Sequence, residues 1–393
     1  MKKSLLLIAG ILLLIALEIL RVYFIMPFPG SQRANTIALA YFLDRNSIWL
    51  RILLLLFTLP AAFYFLIKGK GWQKFLTILA LLVYGLIFYA FNFRFLADKM
   101  FLQPRQKLLA LAASDTTSRN RLVLGVSIGG QAKAYPIEII GYHHLVPDTI
   151  EGQPILVTYC TVCRTGRIYS PMINGKAEQF RLVGMDHFNA MFEDGTTKSW
   201  WQQATGKAIA GPLKGQQLIE IPAHQLTLNA WLELHPDSRI LQPDPAFHAK
   251  YDSLNGYDEG TIEGSLERRD SSSWKFKSWV IGLCIDNLSR AYDWNQLVRN
   301  RVIHDRVGEK NLLLTVEPDN RSFYAFFHSD SLKFSYDSLT HHLHEARTNT
   351  DYLLNGKCLG SCPEPSLLQP VQAYQEFWHS WKQFHPNTTR YGE

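Results

Sequence analysis

Three long apolar runs, followed by a strand-rich region that repeats itself, predict an α+β fold: a strand-rich duplicated module preceded by three transmembrane helices. The apolar runs fall within the first hundred residues, and short β-branched runs punctuated by Gly, Pro and Asp begin at Leu122. A chain of 393 residues exceeds one typical domain, so two globular units with an appendage is the starting expectation.

The first run spans Ser4 to Ile25 and is broken only by Glu18 and Arg21. The second spans Ile48 to Ile67, with Arg51 near its start and Pro60 inside, and the third spans Phe75 to Phe91 without a charge. Each is roughly the length a helix needs to cross a hydrocarbon core of ~30 Å. Glu18 and Arg21 lie three apart, so they are expected to face each other on one helix side and soften the cost of charge there. Pro60 is tolerable where neighbours resatisfy the freed carbonyl. The competing reading of the first run is a cleaved signal peptide, because Lys2-Lys3 resembles a basic n-region. The bulky Leu20 to Pro27 offers no prompt small-x-small site, which favours three uncleaved spans. The lipid bilayer is then the partner of residues 4–93.

Lys2 and Lys3 precede the first span, and Lys68, Lys70 and Lys74 crowd the link between the second and third. Both groups belong on the cytoplasmic side, so an odd number of crossings places everything after Phe93 outside. Arg94, Lys99, Arg105 and Lys107 pull mildly the other way. An outside location puts the cysteines in an oxidising compartment. Lys and Arg exceed Asp and Glu only by 40 to 34, and no basic stripe interleaves with aromatics, which argues against a nucleic-acid partner.

The duplication is read from ordered matches. Leu124-Gly125-Val126, Ala134-Tyr135 and Asp148 recur as Ile281-Gly282-Leu283, Ala291-Tyr292 and Asp305. Ala230-Trp231 through His235-Pro236-Asp237 recurs as Ser380-Trp381 through His385-Pro386-Asn387, and Thr205-Gly206-Lys207-Ala208 parallels Asn355-Gly356-Lys357-Cys358. The expected organisation is a membrane domain over 1–93, a connector over 94–118, a first module over 119–241, a linker or long loop over 242–273 and a degenerate second copy over 274–393. Each copy is expected to open with two strands, a short helix near Ile137 to His144 in the first, and then a hairpin.

The hairpin of the first copy carries the main chemical lead, Ile155 to Arg167, in which Cys160 ends a strand and Cys163 follows before the turn-forming Thr165-Gly166. In the second copy Glu317-Pro318-Asp319-Asn320 stands at that place, and Arg299 or Asn300 falls where His143 and His144 would be. A thioredoxin-like mechanism needs its first Cys at a helix N-terminus, which a strand end does not supply. Covalent haem attachment needs His after the second Cys, where Arg164 stands. Two readings remain open. The thiols could bind copper or zinc, with His143, His187 and Met185 as further ligands, because soft thiolates with imidazole and a thioether suit those ions. Or they could form a structural or mildly redox-active disulfide.

Arg164 and Arg167 flank the thiols and could bind an anion. Trp201 and Gln203 could line a pocket for a polar ligand, with Asp186 beside them, although a hydrophobic anchor explains the tryptophans equally well. Cys358 and Cys362 are candidates for a disulfide, which leaves Cys284 as a buried apolar residue. No Ser-His-Asp order, phosphate-cradling loop or His-Glu-x-x-His helix is present, so whether the protein is an enzyme stays open, as does its small-molecule or protein partner.

Ala132 to Pro136, Tyr142-His143, Val146 with Asp148-Thr149, and Val157 to Cys160 with Cys163 and Thr165 resemble the bacterial family known as domain of unknown function 3179. The resemblance continues through Ser199 to Gln203 and Thr205 to Leu213. The family's usual box is Tyr-Cys-Pro-Leu-Cys-Gly-Thr; here Thr161, Val162 and Arg164 replace the Pro, Leu and Gly. The resemblance singles out His143 among the histidines and implies a bacterial, often exported protein. For a membrane-anchored member that means the inner (cytoplasmic) membrane, with the soluble part facing the periplasm or exterior. It implies no established reaction.

Overall fold

The computed structural model describes residues 2–329, 332–360 and 368–393. The fold is α+β, and three apolar helices precede the strand-rich region. The chain divides into two compact units: Met1–Leu102 with Glu178–Gln202 and Gly206–Gln217, and Gln103–Ala177 with Gln203–Thr205 and Leu218–Glu393. These units cut across the boundaries expected from the sequence, because part of the first module joins the apolar helices.

In the first unit the helices Lys2–Tyr23, Ile37–Lys68 and Gly71–Phe93 are each long and apolar enough to cross a membrane. Pro60 sits inside the second without ending it. Glu18 is fully buried, but its main partner is not Arg21. Arg51 takes both carboxylate oxygens at 2.7 and 3.0 Å, and Asn92 donates to one at 2.8 Å. Arg21 stands 4.0 Å from Glu18 and turns to Asn92 at 2.7 Å and Asp44 at 3.5 Å. A carboxylate in a low-dielectric setting gains more from a two-pronged guanidinium on a neighbouring helix than from a residue three positions on. The same unit holds a four-stranded sheet in the order Ala208–Ala210, Trp200–Gln202, Asn189–Asp194, Phe180–Asp186. Met185 N–H donates to Ile25 O at 2.7 Å, and Tyr41 meets the Trp200 ring edge-on at 5.1 Å.

The second unit contains the remaining sheets. Around Gln131–Pro136, the strand order is Leu109–Leu111, Arg239–Leu241, Gln131–Pro136, Leu122–Ile128, His224–Thr227. Later in the chain, Thr389–Arg390, Leu288–Asp293, Trp279–Ile285 and Ala373–Phe377 pair in the matching order. In both sheets the last strand in sequence joins in parallel, Arg239 opposite Lys133 and Thr389 opposite Arg290. A second sheet runs Leu145–Ile150, Gln153–Cys160, Thr165–Tyr169, Glu220–Ile221, and its counterpart runs Val302–Val307, Lys310–Val316, Phe323–His328, Gln369–Pro370.

Shared side-chain interactions follow the shared order. Tyr135 donates to Asp148 at 2.7 Å and Tyr292 to Asp305 at 2.8 Å. The same carboxylates take Lys133 at 3.0 Å and Arg290 at 2.9 Å. Trp231 lies on Gly125 and Trp381 on Gly282 so closely that an added Cβ would meet the indole at 2.4 and 2.2 Å. Only glycine admits an indole flat against the strand. Trp231, Val123 and Leu226 of the first half bury with Leu313, Tyr324 and Phe326 of the second, so within this unit the halves share one core.

Two expectations are corrected here. Asn300 and Arg301, not Arg299 and Asn300, stand at the places of His143 and His144: His144 and Arg301 both close a short helix with positive φ, 59 and 66, and the carbonyl of each accepts from the second strand that follows, from Tyr159 and Val316. Cys284 is exposed, because the alternation of Trp279–Ile285 turns that one position outward. The stretch 242–273 is irregular, with three short helical turns, yet Tyr251, Tyr257 and Asp258 within it are buried.

Candidate functional site

The thiol box closes a hairpin. Tyr159 pairs with Gly166 and Cys160 with Thr165, so the turn is Thr161 to Arg164. Arg164 has φ 57, the left-handed conformation that a glycine adopts freely. A side chain there costs about 1 kcal/mol, which the guanidinium offsets by its contacts. It donates to Gln375 Oε1 at 2.9 Å and to Tyr257 O at 3.3 Å, and lies over the Trp279 ring at 3.9 Å.

Cys160 and Cys163 are fully buried and unbridged. Burial pushes the Cys163 thiol well above its ordinary pKa, and its hydrogen bond with Cys160 adds to the rise, while Lys277 and Ser380 act the other way. The Cys163 thiol therefore stays protonated at neutral pH, which makes it a poor nucleophile at rest. Two backbone oxygens of the turn are held from the second half: Phe377 N–H donates to Cys163 O at 3.0 Å, and Lys277 Nζ to Val162 O at 2.5 Å. Lys277 also stands 3.2 Å from His379 Nε2. Burial lowers the pKa of Lys277 to about 8 and of His379 to about 3, so at neutral pH an ammonium donates to a neutral imidazole.

Beside the turn, Arg167 is buried against Glu376, stands 3.5 Å from Glu220 and covers the Tyr374 ring at 3.5 Å. Burial opposes its charge, but Glu376 and Glu220 outweigh burial and the net shift is upward. Gln203 braces the hairpin, donating to Thr158 Oγ1 at 3.0 Å and Thr165 O at 3.1 Å. His144 Nδ1 lies 2.8 Å from Tyr159 O, next to the box. His143 Nε2 instead meets Tyr251 Oη at 2.7 Å, and its ring lies among Tyr142, Phe247 and Tyr251.

The candidates thus fall into two groups. Cys160, Cys163, His143, Arg164, Arg167 and Gln203 belong to one compact unit; Met185, Asp186, His187 and Trp201 belong to the other. In that other unit His187 Nδ1 lies 2.6 Å from Asp186, which raises its pKa, Gln202 donates to Asp186 at 2.6 Å, and Trp201 Nε1 donates to Asp194 at 3.0 Å. Among the described residues no group of three or more His, Cys, Asp or Glu is arranged to hold a metal ion. Cys358 is buried in Cys358–Leu359, and Cys362 lies outside the described residues.

Sequence reasoning missed Lys277, His379, Gln375 and Glu376, which surround the box from the second half. The repeat of the Trp381 segment marked their element, but nothing in the repeat says which turn it packs against.

The chain matches the family described as "Protein of unknown function (DUF3179)" over residues 106–388 and belongs to it. No curated protein and no solved structure matches it.

Proposed function

We propose that this chain is a membrane-anchored, extracytoplasmic binding or scaffold module, built as two copies of one fold over about Arg119 to Leu241 and Trp274 to Tyr391. In this reading Cys160 and Cys163 form a redox-responsive staple. The lysines flanking the apolar helices favour the inner membrane with the soluble part outside. The observation that carries the reading is a pair of buried, unbridged thiols in a turn whose backbone oxygens Phe377 and Lys277 grip. Closing them would lock that grip.

The oxidant in this scheme is an exported protein or small disulfide. One thiolate attacks it and expels a thiol; the other then displaces the mixed disulfide, leaving Cys160–Cys163 bonded and two thiols released in all. Loop-closure entropy for so short a loop is worth roughly 2 kcal/mol. The sequence also offers Cys358 and Cys362 as a disulfide pair, of which Cys362 lies outside the described residues. A second reading places a soft ion, copper or zinc, on the unbridged Cys160 and Cys163 with His143.

Metal analysis and thiol counting on the full chain, purified in detergent, separate the two. The staple reading expects negligible copper or zinc, a Cys160–Cys163 disulfide after treatment with oxidised glutathione, and a higher melting temperature that Cys160→Ser with Cys163→Ser abolishes. One equivalent of bound copper or zinc, lost on Cys160→Ser and on His143→Ala, would replace the staple with a metal site.

A further inference from the structure

The two seams between the halves are built from matching positions and filled differently. Arg167 pairs with Thr158, and Tyr324 with Thr315 at the matching place. Glu220 pairs with Tyr169, and Pro370 with Phe326. Tyr374 pairs with Gly282, and His224 with Gly125, the two glycines under tryptophan. Glu376 pairs with Val280, and Leu226 with Val123. One seam therefore holds Arg167, Glu220, Tyr374 and Glu376, and the other holds Tyr324, Pro370, His224 and Leu226.

In the first seam the guanidinium is a plug, sandwiched between carboxylates and a phenol ring. In the second seam the plug and both carboxylates are gone, and a cavity of about 300 Å³ lies there, lined by His224, His235, Tyr324, Phe326 and Pro370 among others. That volume is at the lower end for ligand pockets.

We propose that this cavity binds a small neutral aromatic compound carrying one N–H or O–H donor, of the size of phenol or indole. Tyr324 and Phe326, whose rings lie nearly parallel at 21°, line the cavity and give a flat ring aromatic partners to pack on. His224 and His235 supply the polar partners. Burial lowers both their pKa values, so each neutral imidazole keeps one nitrogen free of a proton and able to accept. A cation finds no carboxylate where Glu220 and Glu376 would have been. An anion finds no Lys or Arg in the lining. The site does not depend on the thiol staple.

The test uses the full chain in detergent, with phenol, indole, benzamidine and benzoate as probes, followed by saturation-transfer NMR and calorimetry. Phenol or indole is expected to bind once per chain with a dissociation constant of roughly 10 µM to 1 mM, given what ligands of this size achieve. Benzamidine and benzoate are expected to bind at least tenfold more weakly. Ala223→Leu, which fills the cavity, is expected to abolish binding, and His235→Leu, at a half-buried position, to weaken it at least fivefold with the melting temperature preserved. Absence of saturable phenol and indole binding to the wild-type chain would overturn the proposal. So would benzamidine binding as tightly as indole, or undiminished affinity in the two variants.

Discussion

The turn from Cys160 to Thr165 and the turn from Glu317 to Ser322 occupy the same place in their halves and have the same length, yet different chemistry holds them. The second is a polar turn organised around its own carboxylate. Asp319 accepts from the backbone of Arg321 at 2.8 Å and Ser322 at 2.9 Å, and from Thr227 Oγ1 of the opposite half at 3.0 Å. Thr227 N–H, at the start of the opposing short helix, donates to Ser322 Oγ at 2.9 Å. The first turn has no such carboxylate. It presents two thiols and bare carbonyls, and the opposing half supplies Lys277, Phe377 and Gln375 to satisfy it. In the second turn the backbone amides are held by the turn's own carboxylate; in the first the backbone carbonyls are held by the opposing half.

The largest expected effect comes from removing the plug of the first seam. Arg167→Met leaves the buried Glu376 without a counter-charge and should cost about 3–5 kcal/mol in chemical unfolding of the full chain. Adding Glu376→Gln should recover part of that loss. Equal costs for Arg167→Met and for Tyr324→Met at the matching place would break the contrast between the seams.

A smaller effect separates the seams by pH. His379 has a folded pKa of about 3, below its ordinary value near 6.5, because burial excludes the charged form. The unfolded chain therefore binds the extra proton first, and stability present above pH ~6.5 is lost as pH falls toward ~3, by at most ~1.4 kcal/mol per pH unit from this group. His144, lowered to about 4, contributes in the same direction. The first half carries Asn229 where the second carries His379, so His379→Asn should flatten the acid limb without changing stability at pH 8 by more than the lost contact. An unchanged acid limb would show that His379 is not buried neutral.

Arg164→Gly sets a lost hydrogen-bond cluster against relief of left-handed strain, and should destabilise by about 1–2 kcal/mol net, measured by the unfolding midpoint. Asp319→Ala should cost about 1 kcal/mol, because the backbone amides it serves are partly exposed and water can replace it. A gain in stability from Arg164→Gly would mean that the first turn does not rest on the guanidinium.

Much of the architecture was legible in the chain. Run lengths and hydropathy marked the three helices, because a hydrocarbon core imposes a length that the sequence must meet. Tyr135 with Asp148 and Tyr292 with Asp305 betrayed the repeat, because a paired hydroxyl and carboxylate at one spacing preserve one local geometry. Gly125 and Gly282 opposite Trp231 and Trp381 did the same, because a flat indole against a strand leaves room for no other residue. The Cys-x-x-Cys turn was likewise readable as a hairpin, since a strand run on each side of Thr165-Gly166 leaves little else.

What surrounds those thiols was decided by tertiary structure. Burial of Cys160 and Cys163 depends on Phe377, Lys277 and Tyr257, which arrive from more than ninety residues away, and no local pattern encodes which turn a distant short helix will cover. The partner of Glu18 could not be read from spacing either: Arg21 is near in sequence, but Arg51 on another helix reaches both oxygens, and the stronger electrostatic geometry prevails in a low-dielectric setting. The same holds for the two seams. The sequence alone shows that Arg167 has become Tyr324 and that Glu220 has become Pro370. Only the packed halves reveal that the first set closes a seam and the second leaves a cavity, because a void is a property of the surfaces that meet and not of either strand.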